Sequence, residues 1–428
     1  MRDYTGVCRP VPTTGAPDEG LRGRLKRLRP LNLIRVMPAK GALLAVTADV
    51  VVAGGGVIGT AIAWRAAAAG LDVVVVDPAC GEAASLVAAG MLAPVSESLF
   101  GEHALLALNL LAVQRFPGFA AELEDVTGHE VGLRREGTLA LAYDSGDHAA
   151  LVRLTEFRRS LGLAADELDG RSCRRLEPFL APDVHGGFLF AGDLSVDNRR
   201  YAAALRHAAR AAGARTVRDR VTGVRIRDGR ARGVLLAGHS AAGAIDCAAV
   251  VIAAGSASGG IAGLPGSLRG AVRPVKGQLL RLRHPTGIPP VLSRTVRATV
   301  RGRDVYLVPR ADGEMIVGAT SEERGPDREV TAGAVHDLLH DAMSVLPVTS
   351  ELTLAETCAG LRPGTPDNGP VVGGSGIGGL LVATGHYRNG ILLSPVTADA
   401  ALAHLTGQRP APEWEPFSPQ RFAAAVTP

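Results

Sequence analysis

The chain of 428 residues is 46% hydrophobic and 21% charged, a composition that excludes a disordered or fibrous protein and leaves room for two folded domains. Its net charge of +4 arises in the first 48 residues, which hold nine Lys/Arg and three Asp/Glu and leave about −2 for the other 380. The body of the protein therefore lacks the basic excess that is typical of nucleic-acid binding.

Membrane insertion and metal binding are also disfavoured. No uninterrupted apolar run approaches the ~18 residues that a spanning helix needs. The five cysteines, at positions 8, 80, 173, 247 and 358, lie far apart and form no CxxC pair. Such a set is typical of a reducing compartment and argues against a zinc site. We therefore predict a cytoplasmic protein with no membrane partner, no nucleic-acid partner and no metal.

Residues 1–47 do not have the pattern of a folded segment. They contain five prolines and the basic run RGRLKRLRP, without a sustained hydrophobic period. We predict a disordered extension, or a start codon assigned too far upstream. An arginine-rich targeting peptide is the alternative, which the absence of an apolar core after the arginines disfavours.

The segment from 49 to 77, DVVVAGGGVIGTAIAWRAAAAGLDVVVVD, organises the rest of the chain. Its apolar run at 49–53 is typical of a strand buried on both faces. Small and apolar residues then predict a helix over 57–69 that ends at Gly70. A second strand follows at 73–76.

The turn between the first strand and the helix carries glycines in G-x-G-x-x-G spacing. Gly54 permits the tight turn, Gly56 lets backbone N–H groups approach a pyrophosphate, and Gly59 allows close helix–strand packing. Asp77 closes the second strand, where a carboxylate accepts hydrogen bonds from a ribose hydroxyl. Together these features predict a dinucleotide site.

The remaining elements alternate between helices and strands. Helices are predicted at 102–124, 147–161, 197–212 with Asp197 as N-cap, 332–346 and 390–404, with a short one capped by Ser172. Strands are predicted at 137–143, 188–190, 249–253, 277–283, 296–300, 305–308 and 314–318, with a β-meander over 215–247. A second G-x-G-x-x-G match at 374–379 precedes a strand and not a helix, so it reads as a turn. A parallel dinucleotide unit is thus interleaved with a largely antiparallel one.

Seven motifs occur in order along the body of the chain: GGGVIG with Asp77, SLVAAGMLAP, VVIAAGS, RPVKGQ, YLVPR with GAT, AGLRPGTPD and GHYRNGILL. This series resembles the D-amino-acid oxidase family of FAD-dependent oxidoreductases and, within it, the glycine oxidases of thiamine biosynthesis. The resemblance covers residues 48–405. It implies an α/β fold with a Rossmann-like (GR2-type) FAD-binding domain interleaved with an antiparallel-sheet substrate domain.

The domain boundaries that we expect from this resemblance divide both units. The FAD-binding domain is expected at 48–95, 197–270 and 350–408, the substrate domain at 96–196 and 271–349, and a tail at 409–428.

The resemblance also implies a reaction. An amino acid binds with its Cα over flavin N5 and loses a hydride to it, and O2 then regenerates the flavin with release of H2O2. The imine product supplies the thiazole of thiamine. No protein base is required, so alignment of the substrate is the main task of the protein. The expected partners are a small amino acid and O2, with a homo-oligomer, possibly a tetramer.

Three residues match the substrate contacts of the family. Arg362 matches the arginine that binds the substrate carboxylate through its planar fork; outside this motif an arginine is usually a solvated surface residue. Tyr306 matches a tyrosine whose hydroxyl holds the substrate, with a packed strand tyrosine as the alternative. Arg388 matches an arginine near the same pocket, with a structural role at its mouth as the alternative.

The residues expected to contact FAD come from both ends of the body. They are Gly54, Gly56, Val57, Ile58, Gly59, Asp77, Ser85, Ala89, Gly90, Met91, Val221, Gly255, His386, Arg388, Asn389, Gly390 and Ile391. The helix that begins at Gly390 would direct its positive end at the flavin. We interpret His386 as a hydrogen-bonded core histidine and not as a catalytic one.

Two residues depart from the family pattern. Cys358 replaces an aromatic residue and is interpreted as a small buried side chain, not as an attachment point for FAD. Ser321 replaces an apolar residue, so substrate preference can differ from glycine. A D-amino-acid or sarcosine oxidase, a dehydrogenase of the same fold and a non-catalytic flavin-binding protein remain alternatives, whereas NAD-linked hydride transfer is disfavoured.

Overall fold

The computed structural model describes residues 46–79, 84–238, 243–285, 287 and 289–425. The predicted N-terminal extension therefore lies outside the described residues except at its end. Residues 46 and 47, which we had placed in the extension, begin the first strand and pair with Ile245 and Asp246.

Strands and helices alternate along the described part of the chain. The strands are β1 (Val46–Ala53), β2 (Val73–Val76), β3 (Met91–Leu92), β4 (Thr138–Ala142), β5 (Asp166–Asp169), β6 (Gly186–Phe190), β7 (Leu194–Ser195), β8 (Arg215–Val217), β9 (Val221–Arg227), β10 (Arg230–Leu236), β11 (Ala244–Ile252), β12 (Arg273–Arg283), β13 (Thr295–Val300), β14 (Arg303–Pro309), β15 (Glu314–Gly318), β16 (Thr353–Gly364), β17 (Val371–Gly374) and β18 (Leu380–Thr384). The α-helices are α1 (Val57–Ala68), α2 (Ala84–Val87), α3 (His103–Thr127), α4 (Ser145–Ser160), α5 (Gly170–Leu176), α6 (Asn198–Ala211), α7 (Gly266–Arg269), α8 (Ala332–Val345) and α9 (Gly390–Leu405).

The first sheet has the order β17-β18-β11-β1-β2-β8, with β10 and β9 attached to β11. β1 pairs in parallel with β2 and β11, and β11 pairs in parallel with β18. Helices α1, α3, α6 and α9 share one apolar core with this sheet. Because parallel strands are buried on both faces, β2 reads as an uninterrupted run of valines, all of them buried.

The second sheet has the order β16-β12-β15-β14-β13-β4-β6-β5. Its neighbours are antiparallel except for β13 and β4, which run in parallel. Helix α8 packs on this sheet through a separate apolar core. The predicted architecture, a parallel dinucleotide unit interleaved with a largely antiparallel one, is confirmed.

Some segments do not follow the predicted division of the chain. β16, which we had assigned to the FAD-binding segment, pairs along its whole length with β12 of the second sheet. α3, assigned to the substrate segment, packs on α1 of the first core, where the Phe119 and Trp64 rings lie 5.1 Å apart. In the predicted tail, Trp414 and Phe417 are buried in that same core.

Two local predictions have opposite outcomes. The second G-x-G-x-x-G match is the turn between β17 and β18, as predicted. The prediction of Ser172 as the N-cap of α5 was wrong. The N-cap is Asp169, whose side chain accepts a hydrogen bond from the backbone N–H of Ser172 at 2.7 Å. The sequence DGRS offers two capping residues three positions apart, and the first one begins the helix.

The prediction that no segment is long and apolar enough to cross a membrane needs a correction. Among the described residues, α3 meets that requirement by length and composition, with a mean hydropathy of 1.4. It is also a core helix, since Leu108, Phe116 and Phe119 are fully buried.

Candidate functional site

A cavity of about 950 Å³ extends from the glycine turn of the first sheet across one face of the second sheet. It brings together nearly all the residues that the sequence analysis selected. The cofactor candidates that line it are Gly54, Gly56, Val57, Ile58, Asp77, Ser85, Ala89, Gly90, Met91, Val221, Gly255, His386, Arg388, Gly390 and Ile391. The substrate candidates Arg362 and Tyr306 line it as well, whereas Gly59 and Asn389 do not.

The glycine turn has the geometry that its spacing predicts. Gly54 has a φ of +110°, and a Cβ there would lie 2.3 Å from the Ala253 carbonyl oxygen. A Cβ at Gly59 would lie 2.0 Å from the Gly54 carbonyl oxygen, so Gly59 serves helix–strand packing. Gly56 is the N-cap of α1, and the backbone N–H of Val57 donates to Ser85 Oγ at 3.2 Å. Gly56, Val57 and Ile58 line the cavity, so the positive end of the helix borders it.

Asp77 has a structural contact that the sequence analysis missed. Its carboxylate accepts hydrogen bonds from the backbone N–H of Gly55 at 2.6 Å and of Ala79 at 2.9 Å. The side chain is buried, with 7% exposure. Asp77 therefore fixes the turn while it lines the cavity.

The start of α9 forms another part of the wall. Asn389 occupies the N-cap position without a side-chain capping bond, and Tyr387 has a φ of +46°. His386 Nε2 hydrogen-bonds to Thr397 Oγ1 at 3.0 Å, and burial lowers the pKa of this histidine to about 3. His386 is thus a neutral, hydrogen-bonded core residue, as interpreted from the sequence.

Arg362 lies on β16, with its guanidinium over the backbone of the neighbouring strand. Its Nη1 donates to the carbonyl oxygen of Thr320 at 3.0 Å. A Cβ at Gly277 of β12 would lie 2.3 Å from Nη1 and 2.4 Å from Cζ. Only a glycine at this position allows the guanidinium to lie flat on the sheet.

Tyr306 has the same relation to a second strand glycine. It stands opposite Gly318 in the β14–β15 pairing, and a Cβ at Gly318 would lie 2.4 Å from the tyrosine oxygen. Burial raises the pKa of the Tyr306 hydroxyl, while the positive charge of Arg362 acts in the opposite direction. Sequence reasoning missed both glycines, although isolated glycines within strand patterns are a signal of close approach.

The structure adds two charged residues to the site. Arg297 on β13 and Glu97 in the loop after β3 form an ion pair at 2.5 Å, and both line the cavity. Arg388 lies beside the Tyr387 ring, with 5.3 Å from Cζ to the ring centroid. Glu97 and Arg297 belong to no motif and are far apart in sequence, so nothing in the sequence pointed to them.

Comparisons with known proteins agree with this geometry. The model of the family described as FAD dependent oxidoreductase (DAO) matches residues 49–404. The glycine oxidase of Geobacillus kaustophilus is 34% identical over 381 residues, which are 88% of this chain and 98% of that protein. A crystal structure of glycine oxidase from the same organism superimposes with a TM-score of 0.80 at 34% identity, covering 88% of this chain and 99% of that chain.

A third relative is longer. The bifunctional protein ThiO/ThiG of Synechocystis sp. is 35% identical over 388 residues, which are 89% of this chain and 55% of that protein. This chain therefore spans about half the length of that relative.

Proposed function

This chain belongs to the DAO family of FAD-dependent oxidoreductases, and on that premise we propose that it is a glycine oxidase, which converts glycine or a comparably small amine to the imine. The observation that carries the proposal is the placement of Arg362 and Tyr306. Each lies against a strand glycine, and both line the cavity that also contains the glycine turn. That arrangement supports binding of a carboxylate beside the cofactor.

The residues present fit FAD. Gly54 and Gly56 leave the space and the backbone N–H groups that a pyrophosphate requires, at the positive end of α1. Asp77 would face the ADP ribose, and the start of α9 at Gly390 would face the flavin ring. When bound, FAD supplies a two-electron acceptor at flavin N5 and passes the electrons to O2 as H2O2.

Arg362 would hold the substrate carboxylate. Its hydrogen bonds to the carbonyl oxygens of Thr320 and Lys276 both use Nη1. The guanidinium also contacts the Tyr306 hydroxyl, and the donors that remain on its fork would make a bidentate contact with a carboxylate. Since Nη1 is fixed by backbone, the fork is oriented before the substrate binds.

Tyr306 would donate a hydrogen bond to the same substrate. Burial raises the pKa of its hydroxyl, so the phenol stays protonated at neutral pH and keeps its proton for donation. A neutral donor next to Arg362 complements a carboxylate without adding a second positive charge.

Among the described residues, the carboxylates and the histidine that line the cavity all have other contacts. Asp77 accepts from Gly55 and Ala79, Glu97 is paired with Arg297, and Asp304 accepts from the Thr299 hydroxyl at 3.0 Å, while His386 has a pKa of about 3. These contacts support a reaction in which the protein aligns the substrate with its amine neutral and supplies no base, while the bound cofactor would be the acceptor for the Cα hydrogen and its electrons.

The finer parts of the assignment are proposals of the same kind. They are release of H2O2, supply of the imine for the thiazole of thiamine, a cytoplasmic location and a homo-oligomeric state. The sequence resemblance supports the peroxide, the thiazole supply and the oligomer, and the five scattered cysteines without a CxxC pair support the cytoplasmic location.

The test is peroxide release by the purified yellow protein under air, with glycine, sarcosine, D-alanine and D-proline compared side by side. We expect the highest kcat/KM with glycine. If another amine of the four has the highest kcat/KM, that amine and not glycine is the substrate. Flavin bleaching without peroxide would indicate a dehydrogenase, and no response to any of the four would contradict an amine oxidase.

A further inference from the structure

An ion pair lies in the cavity wall beside Tyr306. Glu97 and Arg297 are mostly buried, with 13% and 19% of their side chains exposed. Arg297 stands directly opposite Tyr306 in the β13–β14 pairing. Side chains opposite each other in an antiparallel pair lie on one face of the sheet, about 5 Å apart at Cβ. The ion pair therefore borders the space in which a substrate held by Tyr306 would lie.

Buried charges from distant parts of the chain fix the loop that carries Glu97. Arg158, 2% exposed, donates to the carbonyl oxygen of Ser96 at 2.6 Å. Asp193 accepts from the backbone N–H groups of Val95 at 3.2 Å and Ser96 at 3.3 Å, and burial raises its pKa to about 6. Burial of ionic groups is unfavourable unless they are paired or hydrogen-bonded. The chain thus holds Glu97 in one place more firmly than a connecting loop requires.

The cavity continues beyond Arg297. β4 is the next strand of the sheet, where Ala140 stands opposite Arg297 and lines the cavity together with Leu151 and Leu154 of α4. Next to Arg297 the cavity wall therefore includes one small side chain, Ala140, and two leucines. The charges of Glu97 and Arg297 are therefore what a polar substituent of the substrate would meet at this part of the cavity wall.

We propose that Glu97 is a specificity-determining residue, which occupies the guanidinium of Arg297 and thereby excludes amines that carry a second carboxylate. This inference rests on the proposed function, since it concerns the substrate pocket of the same site. An unpaired Arg297 would be a second anion-binding fork on the same face of the sheet as Tyr306. With Glu97 in place, a second carboxylate meets a neutralised arginine and the repulsion of the Glu97 carboxylate.

The test compares glycine with iminodiacetate, an amine that carries two carboxylates. Glu97→Gln keeps the size of the side chain and removes its charge. We expect the ratio of kcat/KM for iminodiacetate to that for glycine to rise about tenfold or more, mainly through KM for iminodiacetate. An unchanged ratio in a variant that retains bound flavin would overturn the proposal.

Two further variants separate charge from folding. The double variant with Glu97→Gln and Arg297→Gln should lose the gain, because the freed guanidinium is then absent; a retained gain would contradict the role of Arg297. Glu323→Gln is the matched control, since Glu323 forms an exposed ion pair with Arg273 at 2.9 Å and does not line the cavity. Its ratio should equal that of the unaltered protein.

A binding measurement keeps this inference separate from the proposed function. Malonate and acetate differ by one carboxylate, and neither can be oxidised as an amine. Titration of each into the holoenzyme, followed by the shift in flavin absorption, should show malonate tightening relative to acetate in Glu97→Gln. If the unaltered protein does not oxidise glycine, the proposed function fails, and this titration still decides the role of Glu97. Equal tightening of both anions would overturn it.

Discussion

Replacement of Gly277 by alanine should damage the site while sparing the fold. The new Cβ would lie 2.3 Å from Nη1 and 2.4 Å from Cζ of Arg362, about 1 Å inside a normal carbon contact. The guanidinium lies at the end of a flexible side chain, so it can move away and leave the backbone pairing of β12 and β16 intact. The stability cost is therefore small, and the displacement falls on the group proposed to bind the substrate carboxylate.

A displacement of about 1 Å in a substrate-positioning group costs up to ~100-fold in rate. We expect kcat/KM for glycine to fall between about 10-fold and 100-fold in Gly277→Ala, with flavin content and thermal midpoint close to those of the unaltered protein. Peroxide release gives the kinetics, and flavin absorption gives the cofactor content.

A glycine-to-alanine change in a strand elsewhere is the control. Gly374, in β17, has nothing within 4 Å of an added Cβ, so Gly374→Ala should leave kcat/KM unchanged. Gly277→Ala with the kcat/KM of the unaltered protein would refute the reasoning, because Arg362 would then tolerate a displacement of about 1 Å.

Two other predictions concern stability and the cofactor. The pKa of His386 is lowered from 6.5 to about 3 in the folded protein. Below pH 6.5 the unfolded chain therefore binds a proton at this residue that the folded chain does not. The contribution of His386 to the free energy of unfolding is thus present above pH 6.5 and is lost as the pH falls towards 3. Between pH 7 and pH 5 the unaltered protein should therefore lose about 2 kcal/mol more of its free energy of unfolding than the His386→Gln variant loses. Urea denaturation at the two pH values measures both losses. Equal losses would show that the histidine is not held neutral. Asp77→Ala removes the acceptors of the Gly55 and Ala79 N–H groups. We expect FAD binding to weaken about tenfold or more, as measured by the release of flavin on dialysis. Asp312→Ala, at an exposed position, is the control, and equal flavin retention in the two variants would contradict the role of Asp77.

The part of the site that could be predicted from sequence is local in the chain. Gly54, Gly56, Gly59 and Asp77 lie within one strand–helix–strand unit, so their spacing alone defines their positions. Asp197 at the start of α6 is equally local, since an N-cap acts within three residues. Local geometry of this kind can be predicted from the spacing of nearby residues.

The rest of the site depends on pairings between distant segments. Arg362 rests on Gly277, Tyr306 on Gly318, and Glu97 meets Arg297 from 200 positions away. These contacts require the register of β12, β14 and β16, which no periodicity in the sequence encodes. The full length of β16 could not be predicted, because its residues, TLAETCAGLRPG, show no clear alternation of apolar and polar side chains, and only Pro363 and Gly364 indicated the end of a strand.

The most direct test of the central claim is anaerobic mixing of the holoenzyme with glycine, followed by flavin absorption. We predict complete bleaching at a rate that saturates with glycine, with the half-saturating concentration at least about 100-fold higher in Arg362→Met. Absence of bleaching by glycine would contradict the proposed function. Bleaching with an unchanged half-saturating concentration in Arg362→Met would contradict the assignment of Arg362 as the carboxylate ligand.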